Sequence, residues 1–273
     1  MKEVLPLCLF ASLTTWACAT QTPAQHSPPL NQPTTKTYEG SDAGLAAGDA
    51  APGNAPRSVA AQGPATNEHS EARHGEHESA NEHMNHQSFE QLVARFEDPE
   101  RATWQKPDAV IRKLGTLRGK TVVDIGAGSG YFSIRLAAIG ARVIAEDIDP
   151  RFLDYISKRA AAEKRGKLIG THRGEKDDPL LEKASIDAAL VVDVYHHLEN
   201  RPAFLRHLAD ALRPRGKILI VDFKPGDLPQ GPPDSLKVPS DVIAHELKES
   251  GFSGVEVDAE TLPYQFVIQA RRP

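Results

Sequence analysis

Two clusters of residues in this chain could do chemistry. One is Asp193-Val194-Tyr195-His196-His197, which directly follows the apolar run Ala188-Ala189-Leu190-Val191-Val192. Imidazole titrates near neutrality, so either histidine could take a proton from a hydroxyl or an amine. Adjacent histidines could also hold a metal, but no third ligand is apparent beside them. A plainer role stands next to these: one imidazole, His196 before His197, hydrogen-bonds the fold and only holds structure.

The other cluster is Asp124-Ile125-Gly126-Ala127-Gly128-Ser129-Gly130-Tyr131. An apolar β-branched run precedes it and a helical pattern follows. Glycines at alternate positions let backbone N–H groups approach a ligand without Cβ interference. Dinucleotide sites favour a third glycine where this chain has Tyr131. Asp124 lies just before the first glycine, where a carboxylate repels a pyrophosphate but suits a cation or an amine. S-adenosyl-L-methionine carries an ammonium and a sulfonium and no phosphate.

The run V-V-D-I-G-A-G-S-G-Y-F resembles motif I of the class I S-adenosylmethionine-dependent methyltransferases. The resemblance extends from about Phe89 to the C-terminus. It implies that Asp124, Gly126, Ala127, Gly128, Gly130 and Tyr131 line the cofactor. Asp147, ahead of Glu146, fits the family's V-x-G-x-D-x-x-P pattern and would take the ribose hydroxyls, with Ile148 beside it. Glu175 fills the slot that holds the adenine amino group, with Asp177 and Asp178 as close competitors. Asp193, His196 and His197 fall where the methyl donor meets the acceptor, which makes them the catalytic candidates; Asp193 also counts among the cofactor ligands. The family's early helix often covers the cofactor, so Arg101 and Trp104 could form a lid; equally, Trp104 could pack that helix onto the domain. The family's strand order is 3-2-1-4-5-7-6, with the last strand antiparallel at the sheet's edge. The Asp-Pro-Pro-Tyr-type signature of amino-methylating DNA enzymes is absent.

The elements that must position these residues alternate strand with helix, which implies a doubly wound, Rossmann-like α/β sheet. Phe89–Phe96 reads as an amphipathic helix, and Asp98-Pro99 as cap and first residue of the next. Strands are expected at 121–125, 142–147, 167–171, 186–193, 217–222, 255–258 and 264–270. Gly140 should end the first main helix. Asp149 and Pro150 should start the second and Gly166 end it. Asn200 and Pro202 start another helix, and Ser240 caps the last. Glu146 is expected to face solvent or the adjoining helix. The Pro- and Gly-rich loop 223–239 is long enough to shape an acceptor pocket.

Composition divides the 273 residues into a tail and one domain. Residues 19–88 have few large apolar side chains and should be disordered. They hold three basic residues against eight acidic ones, which accounts for the whole chain's net charge of −5. Residues 89–273 are therefore neutral and carry no broad electrostatic footprint for nucleic acid. Five of the eleven histidines interleave with glutamates in that tail, at His69, His74, His77, His83 and His86. They read as a solvated tether with incidental metal affinity. Residues 1–18 resemble a signal peptide, and Ala17-Cys18 a lipoprotein cleavage site with a lipidated cysteine. Thr15, Trp16 and Glu3 depart from that pattern. Cys8 and Cys18 are the only cysteines, so residues 89–273 have no thiol.

The expected function is S-adenosylmethionine-dependent methyl transfer to a small-molecule acceptor. The expected location is export as a membrane-anchored or periplasmic protein, with the cytoplasm as the alternative. An exported, non-catalytic binding module and an NAD-dependent oxidoreductase are the competing readings. Oligomeric state is left open.

Overall fold

Val122-Val123-Asp124-Ile125 is buried throughout, as a run in a parallel sheet covered on both faces must be. The structure is a computed structural model and describes Asn81 and residues 87–273. All of these fall in one of the chain's two units, Gly63–Pro273. The signal-like segment with Cys8 and Cys18, and the His-rich stretch, lie outside the described residues.

Seven strands form one sheet: β1 (Thr121–Ile125), β2 (Arg142–Asp147), β3 (Ile169–Arg173), β4 (Ile186–Val192), β5 (Leu212–Phe223), β6 (Ser253–Asp258) and β7 (Gln265–Arg271). Their order is β3-β2-β1-β4-β5-β7-β6. β1 pairs in parallel with both β2 and β4, so the order reverses between β1 and β4. Ligands of open α/β sheets bind at such a reversal, beyond the carboxyl ends of the strands. β7 runs antiparallel to both β5 and β6. It is therefore interior, and the edge strand is β6, which corrects the expectation that the last strand lies at the edge.

Alternation along each strand feeds two cores. Val122, Leu190 and Val221 pack on one face with α3 (Pro107–Lys113), α4 (Tyr131–Ala138) and α5 (Pro150–Ala162). Val123, Val191 and Ile220 pack on the other with α6 (Arg201–Ala211) and α7 (Ser240–Glu249). Ahead of the sheet come α1 (Phe89–Phe96) and α2 (Arg101–Gln105). α1 opens with a capping box, Ser88 and Gln91 each satisfying the other's backbone.

Most helix signals act as expected, and the exceptions have local causes. Asp149 caps α5 through Arg151 N, and Asn200 caps α6 through Ala203 N. Asp98 does not cap α2. It closes a turn onto Glu100 N at 2.9 Å, and the helix starts after it. α5 ends at Ala162 through a left-handed Lys164, before Gly166. Ser240 is the first residue of α7, not its cap; Pro239 holds that place. β5 begins at Leu212 because 213–216 form an irregularity within the strand rather than a free turn, with Arg215 left-handed. β3 lies two positions later than expected, its first residue being Ile169. Contacts of the folded unit also begin upstream of Phe89, since Asn81 touches His197.

Candidate functional site

The turn from β1 into α4 runs with Gly126, Gly128 and Gly130 all at positive φ. A Cβ on Gly126 would collide with the Val194 side chain, and one on Gly128 would lie 3.1 Å from the Phe96 ring. Neither position tolerates a side chain without displacement. The turn's N–H groups are held by the end of β2. Gly128 N donates to Asp147 Oδ2 at 2.8 Å, Gly126 N to Glu146 Oε2 at 3.2 Å, and Ala127 N to the Glu146 carbonyl at 2.8 Å. Asp124 accepts from the Ser133 hydroxyl at 2.6 Å.

Three carboxyls are thus buried around one turn. Burial lifts Asp124 to about 6 against the Ser133 hydrogen bond and Arg101. Burial and the charge of Asp147 push Glu146 to about 8. Burial lifts Asp147 to about 6, offset by the N–H groups of Asp149 and Gly128. Glu146 does not face solvent, one of its two expected settings; its carboxylate faces the glycine turn. Ala145, Glu146 and Asp147 are all buried, so both faces of β2 are covered at this end; Gly174 packs so closely on Glu146 that a Cβ there would overlap the carboxylate.

This burial has a sign. Below the ordinary carboxylate value Glu146 is neutral in folded and unfolded chains alike. Above it the unfolded chain ionises while the folded one resists, so stability falls until about pH 8. Each pH unit in that window costs roughly 1.4 kcal/mol per group. Glu146→Gln keeps an acceptor for Gly126 N and is expected to stabilise the ligand-free chain at about pH 9 far more than at about pH 5. Urea unfolding at both pH values measures this; equal shifts at the two would overturn it.

The end of β4 faces this turn across the strand reversal. Asp193 has φ 58, a conformation rare outside glycine, and donates its N–H to Val221 O. Its carboxylate accepts from Gln105 Nε2 at 2.8 Å, from Arg101 Nη2 at 3.3 Å, and from the Gln265 amide. Burial raises its pKa, opposed by Arg101 and helped by Asp222. Arg101 also donates to Phe96 O at 2.9 Å and lies 4.4 Å over the Tyr131 ring. The early helices therefore cover the glycine turn. Phe96 packs on Phe152, and Glu97 accepts from Ser129 Oγ at 2.6 Å. Arg101 is part of this cover. Trp104 packs instead on Phe223 and Tyr264, 6.1 and 6.3 Å between ring centroids.

A short 3-10 turn, Tyr195–His197, carries the histidines. It is anchored behind by Tyr195 Oη donating to Glu246 at 2.6 Å, and Glu246 also takes Arg201. His196 is buried, with Nδ1 2.9 Å from Asp222 Oδ1 and its backbone N–H on Asp222 Oδ2. Burial works against the charged imidazole, yet Asp222 outweighs it and raises the pKa. His197 is half-buried, and its Nδ1 lies 3.0 Å from Asn81 Oδ1. The two rings stand 4.3 Å apart.

Glu175 and Asp177 sit in the exposed loop after β3. Gly174 N, at 3.4 Å from Asp147 O, starts that loop beside the turn. Asp177 lines a shallow cleft with Lys176, Glu199 and Pro202. Asp178 is committed to His207 at 2.8 Å and to Leu180 N. Ile148, after Asp147, is 45% exposed. The structure thus brings together the glycine turn with Asp124, Glu146 and Asp147. It separately joins Asp193 to Arg101, and His196 to Asp222. Sequence reasoning missed Gln105, Gln265, Asp222 and Asn81. Asp222 alone had a signal, as the last acid of an apolar strand ending beside Asp193.

Residues 123–220 match the methyltransferase-domain family. The chain is 34% identical over 122 residues to a demethylmenaquinone methyltransferase of Tropheryma whipplei, covering 45% of this chain and 48% of that one. It is 32% identical over 172 residues to a tRNA U34 carboxymethyltransferase of Chromohalobacter salexigens, covering 56% and 50%. The chain spans about half the length of the curated relatives it matches. Its fold is that of a SAM-dependent methyltransferase from Aquifex aeolicus, at a TM-score of 0.63 and 22% identity, covering 67% of this chain and 98% of that one. The [4+2]-cyclase SpnF shares the fold at a TM-score of 0.54 and 13% identity, covering 62% and 80%. The seven-stranded sheet is therefore the Rossmann-like methyltransferase sheet, and that sheet alone does not fix an activity.

Proposed function

We propose that this chain is an S-adenosylmethionine-dependent methyltransferase acting on a small-molecule acceptor. One observation carries the reading: a glycine turn at the carboxyl end of β1 is ringed by the buried carboxyls of Asp124, Glu146 and Asp147. Such a cluster of carboxyls suits a sulfonium and an ammonium and repels a pyrophosphate. Asp147 would hold the ribose hydroxyls, and the Gly126–Gly130 turn the amino-acid end under Arg101. Glu175 or Asp177 would meet the adenine. When bound, S-adenosylmethionine supplies an activated methyl group, so the protein's task is alignment and exclusion of water. α1 and α2 exclude water over the turn, and His197 would hold the proton that an acceptor hydroxyl or amine loses. The relatives act on a quinone and a tRNA; the neutral charge of residues 89–273 supports the smaller acceptor. Isothermal titration of the full chain with S-adenosylmethionine and with NAD tests the reading. Binding of NAD alone would overturn it.

A second reading, an exported binding module without turnover, draws on the N-terminal run of Val4–Leu13 followed by Ala17-Cys18. S-adenosylhomocysteine release with cell extract separates the two, because a binding module releases none. We propose the same export for the enzyme. Cys18→Ser is expected to move the protein from the membrane fraction to the soluble one. A soluble wild-type protein that retains Met1 would overturn that location.

A further inference from the structure

Asn81, ahead of α1 in the chain, reaches the histidine turn. Asn81 places its side-chain oxygen 3.0 Å from His197 Nδ1, and its amide nitrogen donates to His197 O at 3.4 Å. The two residues are 116 positions apart, so folding and not chain proximity makes this contact. The second bond orients the first. Turning the amide over would set its oxygen against the His197 carbonyl, leaving two acceptors face to face. An acceptor at Nδ1 requires that nitrogen to carry the proton, which puts the basic lone pair on Nε2. His196 does not share this arrangement, since its own Nδ1 is given to Asp222.

We propose that Asn81 is the positioning residue for His197, holding its imidazole in the Nδ1–H tautomer. This rests on the reading of His197 as the proton acceptor. A base must present its lone pair to the acceptor's proton, and a hydrogen bond at the far ring nitrogen is what keeps one tautomer in place. Free imidazole side chains favour the proton on Nε2, the form with no lone pair there. Asn81, in the stretch read from sequence as a tether, is then part of the catalytic unit.

The test is the ¹⁵N spectrum of the full chain labelled at histidine, at a pH where imidazole is neutral. The His197 signals are assigned by their loss in His197→Gln. The wild type is expected to show a pyrrole-type Nδ1 and a pyridine-type Nε2 at His197. Asn81→Ala should move the proton to Nε2, and Asn81→Asp, which keeps the acceptor at Nδ1 while losing the donor to His197 O, should return the proton to Nδ1. A pyrrole-type Nε2 in the wild type overturns the proposal without any variant. So does an unchanged tautomer in Asn81→Ala. The spectrum needs neither cofactor nor acceptor, so its failure is distinct from failure of the methyltransferase reading, which titration decides. Once an acceptor is in hand, Asn81→Ala should lower turnover by roughly tenfold or more at unchanged cofactor affinity, and Asn81→Asp should recover it. Equal loss in both variants would mark a merely structural contact and overturn the assignment.

Discussion

Asp147→Ala is expected to weaken S-adenosylmethionine binding by roughly 10²–10⁴-fold, about 3–6 kcal/mol. The magnitude is that of two charge-assisted hydrogen bonds to ribose hydroxyls, each worth about 1.5–3 kcal/mol. Asp147 is suited to that task by position and by charge. It closes β2 beside the glycine turn, and the N–H groups of Asp149 and Gly128 favour its carboxylate against the burial that raises its pKa. It also accepts from Gly128 N and Asp149 N, so the substitution loosens the turn it is meant to complement. Gly128→Val attacks the same site from the other side. Gly128 sits at φ 53 with the Phe96 ring 3.1 Å from any added Cβ, so valine both strains the backbone and displaces the cover. Calorimetric titration of both variants, with circular dichroism to confirm folding, reads the outcome. Folded variants with wild-type affinity would remove the cofactor assignment altogether.

The parts of this site that were legible from sequence are those written in local pattern. Asp124-Ile125-Gly126 through Gly130 announces itself by glycine spacing, and Asp147 by its place at the end of an apolar strand. For Glu146 the same local logic left solvent and the adjoining helix both open. Alternation puts it on the opposite face from Asp147, but only the completed sheet shows that this face is also buried. Asp178 and Asp177 look alike in the chain and are separated by a tertiary partner, His207. Gln105, Gln265 and Asn81 are polar residues in unremarkable surroundings. Their roles come from contacts that span 88, 72 and 116 positions, and no period or motif encodes such contacts. The β5 start was missed for a similar reason: Arg213-Pro214-Arg215-Gly216 has turn composition, yet Leu212 pairs with Ile186 before the turn begins.

His197→Ala is expected to cut turnover by roughly 10²–10⁴-fold with little change in cofactor affinity, the range for losing a general base. His196→Ala is expected to act on stability instead. Asp222 is 0% exposed, and removing its imidazole leaves a buried carboxylate without its counter-charge, a loss of about 3–5 kcal/mol. The pH dependence sharpens the contrast. The His196 pKa is raised in the folded chain, so its pairing energy is fully present below the ordinary imidazole value of about 6.5. That contribution is lost as pH rises through the raised value, and the loss should vanish in His196→Ala. Denaturation across this window and S-adenosylhomocysteine release with phenols, thiols and quinones as acceptors together divide the roles. If His196→Ala abolishes turnover at unchanged stability while His197→Ala is silent, the base is the Asp222-paired imidazole. Full activity in both would leave alignment alone as the protein's contribution, as suits an acceptor that arrives already ionised.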